Sequence, residues 1–102
     1  MPELPEVETT VRALRQPLIG STITDVHSDW PRQIITPDLA ELQARIYGLK
    51  ILAINRRGKY LVFTLNGRET LIIHLKMSGH LSVVDRTAPA SKHVHTTFSL
   101  AD

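Results

Sequence analysis

Apolar residues recur at Leu4, Val7, Val11 and Leu14, spacings of three and four that give a helix one buried stripe. Glu6 and Glu8 fall in the first turns of this segment and Arg12 and Arg15 in its last, the order a helix dipole favours. Pro17 and Gly20 are expected to stop it. Residues 21–28 carry Thr22, Ile23, Thr24 and Val26, which fit a strand, and residues 29–36, broken by Pro31, predict a loop. Thr36-Pro37-Asp38 predicts a second helix start, with Thr36 as the capping hydroxyl and Pro37 at the first helical position. Leu39, Leu42 and Ile46 line its buried face and Gly48 ends it.

From Lys50 the pattern turns to alternation. Residues 50–55 and 59–65 predict strands joined by a turn at Arg56-Arg57-Gly58, and Asn66-Gly67 is a two-residue hairpin signal. A strand over 69–75 follows, then a turn at Met77-Ser78-Gly79, a strand over 80–84 and a surface loop over 87–91. Residues 93–100 begin a last strand with no hairpin partner after it, an exposed edge that favours association. The expected class is α+β: an antiparallel β-sandwich flanked by helices, with its last strands missing.

Composition narrows the function classes. At 102 residues, 42% hydrophobic and 22% charged, the chain is an ordinary globular domain. No apolar run approaches a membrane span, the start is too acidic for a signal peptide, and the absence of Cys fits a reducing cytoplasm. Zero Cys also removes disulfides and Cys-ligated zinc. The net charge is only +2, but between Lys50 and His80 six basic residues face Glu69 alone, so that segment carries +5 and the rest −3. Such a segment fits a phosphate backbone, and equally a merely solvated surface.

The chemistry concentrates in the opening Met1-Pro2-Glu3-Leu4-Pro5-Glu6-Val7-Glu8. Removal of Met1 leaves Pro2 as a secondary amine whose ring holds it in place. With Met1 retained, that nitrogen is an amide and cannot form an imine. A free imino group at a helix's positive end has its pKa depressed toward the nucleophilic form. Glu3 and Glu6 beside it could pass protons during covalent catalysis; acids and Pro in a first turn also simply complement the dipole. Lys59 follows two arginines and a glycine, as a functional or a solvated turn residue. Met77, in a Ser-Gly turn, suits either an apolar wedge or a core cap. His74 sits in an apolar strand, where histidine is usually a hydrogen-bonded core residue. Trp30 is expected to anchor packing rather than stack on a base. His93 and His95 at i, i+2 lack a third ligand nearby, so no metal site is expected.

MPELPEVE, Arg56-Arg57-Gly58-Lys59-Tyr60, His74-Leu75-Lys76-Met77-Ser78-Gly79 and Lys92-His93-Val94-His95, in this order, resemble formamidopyrimidine-DNA glycosylase over the whole chain. The resemblance implies a bifunctional glycosylase/AP lyase of the bacterial cytoplasm and nucleoid. It would remove oxidised purines from damaged double-stranded DNA through a Schiff base on Pro2, followed by β,δ-elimination. It implies that Glu3 assists sugar ring opening and Glu6 supports the site's geometry. Lys59 would touch the phosphates and donate a proton. Met77 would fill the gap left by the extruded nucleotide, and Arg57, His74, Lys76 and His93 would contact DNA. It also implies a monomer that is the first part of a longer enzyme. The helix-two-turn-helix and zinc finger, with the family's one zinc ion, lie outside these residues, so this chain holds no cofactor and is weak or inactive alone.

Two residues depart from the pattern: Val94 stands where the family usually has Asp, and Lys76 where many members have Gly. The rivals are an endonuclease VIII-like enzyme for oxidised pyrimidines, which typically begins MPEGPE, and a non-catalytic DNA-binding module. Tautomerases use an N-terminal proline that opens a strand, whereas here helical periodicity follows it.

Overall fold

The computed structural model describes residues 4–75, 79, 81–85, 87 and 94–101. Helix α1 spans Leu4–Leu18 and buries Val7, Val11, Leu14 and Leu18, a stripe one turn further along than the one beginning at Leu4, which is 44% exposed. Pro17 lies inside the last turn instead of stopping the helix, and the reversal comes at Gly20, φ +92°. Strand β1 is Thr22–Ser28. A short 3-10 turn at Pro31–Gln33 occupies the expected loop, and α2 spans Leu39–Ile46. The cap of α2 is Asp38 rather than Thr36: its Oδ1 accepts from the Glu41 amide at 2.9 Å, so Pro37 precedes the helix.

Strands β2 (Ile51–Arg57), β3 (Tyr60–Leu65) and β4 (Thr70–His74) form one antiparallel sheet in that order. Strand β5 (Thr96–Ala101) pairs antiparallel with β1, so the final strand has a partner that local pattern could not reveal. The sheets meet at the Thr22–Lys50 bridge and through Ile51 N donating to Ser21 O at 2.9 Å. Residues 81–84, the described part of the predicted 80–84 strand, pair with no described strand and form no element.

Helix α1 packs on β2 and β3, and α2 on β1. Along β3, Leu61, Phe63 and Leu65 point into the core while Tyr60, Val62 and Thr64 face out. Val7, Val11, Ile54 and Leu61 are almost wholly buried where helix and sheet meet. The predicted α+β class is observed, with two antiparallel sheets and two helices. Trp30 is not a core anchor: it is 48% exposed and meets the edge of the His95 ring at 5.4 Å. No helix among the described residues is long and apolar enough to cross a membrane.

Candidate active site and nucleic-acid interface

The β2–β3 hairpin is tighter than its sequence predicted. Arg57 pairs with Tyr60, so Arg56 and Arg57 belong to the strand and the loop is Gly58-Lys59. Lys59 therefore stands in the turn, not after it. Gly58 takes φ +60° while Lys59 stays at negative φ, the sign pattern of a type II′ turn. The Asn66-Gly67 hairpin is longer than predicted: Leu65 N donates to Glu69 O at 3.0 Å, and Gly67 and Arg68 both take positive φ.

This turn is tied to α1. Arg56 Nε donates to Glu8 Oε1 at 3.0 Å, and Arg56 Nη1 donates to Gly58 O at 3.0 Å. The other Glu8 oxygen accepts from Arg12 Nε at 3.0 Å. The Arg56 and Arg12 guanidiniums together hold the Glu8 carboxyl below the usual carboxylate range. The early turns of α1, with Glu6 exposed on the first, are thus drawn toward the turn that carries Lys59. Pro2 and Glu3 precede this helix and lie outside the described residues.

Arg57 lies on the opposite face of the sheet from Arg56. Arg57 pairs with Tyr60 and Tyr60 with His74, a row across three strands. The Tyr60 and His74 rings sit 4.8 Å apart, so His74 is a half-buried residue of the outer face and not of the core. Beside them, Arg57, Tyr60, Val62 and Ile72 line a shallow hollow of about 150 Å³. β4 delivers the chain from His74 to Leu75, and Gly79 N donates to Leu75 O at 2.9 Å. A Cβ on Gly79 would collide with that Leu75 oxygen, so the close approach requires glycine. Lys76, Met77 and His93 lie outside the described residues.

The basic segment does not form one patch. Arg57, Lys59 and His74 stand at one end of the β2-β3-β4 sheet, whereas Lys50 and Arg68 stand at the other, roughly 20 Å away along strands of this length. Arg56 is used internally by Glu8. Glu8 and Arg56 are the residues that sequence reasoning missed. The Glu8–Arg12 spacing was visible as an i,i+4 pair, but a partner 48 residues away was not. Among the described residues no three His, Asp or Glu side chains gather as metal ligands.

The family model for the formamidopyrimidine-DNA glycosylase N-terminal domain matches residues 1–102. The formamidopyrimidine-DNA glycosylase of Carboxydothermus hydrogenoformans is 43% identical over the whole chain, which covers 39% of that protein. That of Symbiobacterium thermophilum is 48% identical, and the chain covers 33% of it. Among solved structures, Lactococcus lactis Fpg complexed with DNA containing an abasic site superposes at TM-score 0.93 with 39% identity, over 99% of this chain and 38% of that one. The same species' enzyme with FAPY-dG DNA gives TM-score 0.92 at 39% identity, over 98% and 37%. The chain thus spans less than two-fifths of these relatives.

Proposed function

The chain belongs to the formamidopyrimidine-DNA glycosylase N-terminal domain family, and from that premise we propose that it carries the nucleophilic half of a base-excision site for oxidised purines in bacterial DNA. The observation that carries this reading is the Glu8–Arg56–Gly58 chain of hydrogen bonds, which draws the start of α1 toward the Lys59 turn. The solved relatives bound to abasic-site and FAPY-dG DNA support damaged duplex as the partner.

The chemistry follows from the residue types. Once Met1 is removed, the Pro2 nitrogen attacks C1′ of the damaged nucleotide. The C1′–N bond to the protein forms, the sugar ring opens with proton assistance from Glu3, and the base leaves with the glycosidic electron pair and takes up a proton. The resulting iminium acidifies C2′. Loss of that proton expels the 3′-phosphate, a second elimination expels the 5′-phosphate, and Lys59 supplies a proton and a phosphate contact. Glu6 supports this geometry from the first turn of α1. Extrusion of the nucleotide leaves a gap in the stack that an apolar side chain such as Met77 fills. Arg57, His74, Lys76 and His93 complete the DNA-facing set, and no step draws on a metal in this chain. Phosphate contacts supply most DNA affinity, so these 102 residues alone bind weakly.

Fluorescence anisotropy tests the recognition step. A duplex with one abasic-site analogue is expected to bind more tightly than the same duplex undamaged. Arg57→Ala should weaken both and lower the slope of log K against log salt by about one unit. Equal affinity for the two duplexes would contradict lesion recognition by this domain.

A further inference from the structure

We propose that Glu8 and Arg56 are positioning residues, a clasp that joins the first turns of α1 to the Gly58-Lys59 turn and sets where Lys59 stands relative to the amino terminus. The inference rests on the reading of Lys59 as a catalytic residue and deepens it by naming what holds that residue in place.

One guanidinium spans the gap, with Nε donating to Glu8 Oε1 and Nη1 to Gly58 O, each at 3.0 Å. A planar fork can serve two acceptors in fixed directions; a lysine ammonium on a flexible stem cannot hold both in that geometry. Arg12 engages the other Glu8 oxygen at 3.0 Å, so the carboxylate is oriented from both sides. Further along α1, Arg15 donates to Ile54 O at 2.8 Å and to Asn55 Oδ1 at 3.0 Å. The helix is therefore fastened to β2 at two places about 10 Å apart on its axis, which resists pivoting as well as sliding.

The energetics separate a geometric role from a stabilising one. Glu8 and Arg56 side chains each keep 33% of their exposure, and ion pairs this accessible contribute little to folding. Yet they bridge segments 48 residues apart, the early turns of α1 and the strand end that leads into the Gly58-Lys59 turn. Misplacement of a reacting group by about 1 Å can cost on the order of a hundredfold in rate.

The test is ¹⁵N relaxation on the full 102-residue chain, comparing Glu8→Ala, Glu8→Gln and Arg56→Lys with the unsubstituted protein. In Glu8→Ala and Arg56→Lys the amide order parameters of Gly58 and Lys59 should fall from about 0.85 to below about 0.6. Ile54 and Leu61 should keep theirs, and the melting temperature should drop by less than about 4 °C. Glu8→Gln keeps an acceptor for Arg56 and should retain most of the turn's order. The proposal is overturned if Gly58 and Lys59 stay equally ordered in both disruptive variants. It is overturned equally if their order falls only together with the whole sheet and the melting temperature, the mark of general destabilisation. The readout does not depend on turnover, so a confirmed clasp in a protein that never forms an imine would sink the catalytic reading alone.

Discussion

Glu8 serves two arginines with one carboxylate, and its ionisation makes both bonds ion pairs between a cationic donor and an anionic acceptor. Arg56, then Arg12, lowers its pKa, and Arg45 does the same for Glu69 through bonds of 3.1 and 2.6 Å. A carboxyl depressed in the folded state contributes stability that is present above its unfolded pKa and is lost as pH falls through its folded pKa. Both pairs should therefore persist at neutral pH and dissolve only below the ordinary carboxylate range. A ¹³C-carboxyl titration should place both midpoints below those of the same residues in unfolded peptides; midpoints at or above the peptide values would contradict the bonding described. Sequence inspection read Glu8 as a dipole partner because only its i,i+4 neighbour lies nearby in the chain. The fold supplies the other half. His74 shows the converse, since apolar neighbours suggested the core while strand alternation placed it outside beside Tyr60.

Asp38 caps α2 with its own carboxylate, and losing such a cap costs about 1 kcal/mol. Asp38→Ala should lower the melting temperature by roughly 4–8 °C in a domain of this size, measured by circular dichroism. An unchanged midpoint would mean that burial of Leu42 and Ile46 alone decides the helix. Helix existence and strand alternation were legible because their periods are set by local geometry. Boundaries were less so. Thr36 and Asp38 are both competent caps, and only the path of the backbone selects the second. At the β2–β3 hairpin, Gly58 could close the turn or open it; the observed register makes it the first loop residue and moves Lys59 into the turn. The pairing of β5 with β1 spans most of the chain and leaves no local signature.

For the molecule as a whole, the charge total in sequence order concealed a division in space. Folding sends Lys50 and Arg68 to one end of the β2-β3-β4 sheet, places Arg57, Lys59 and His74 at the other, and commits Arg56 to Glu8. The family was legible because the opening octapeptide and the Arg56-to-Tyr60 segment are short, contiguous motifs. The most direct test is to incubate the chain with an abasic-site duplex and borohydride, then record an intact mass and map the linked peptide. Reduction is irreversible, so product accumulates even from weak encounters. The expected outcome is a DNA adduct on protein lacking Met1, mapped to Pro2. An adduct mapped to Lys59 or any residue other than Pro2, on protein lacking Met1, would contradict the Pro2 mechanism.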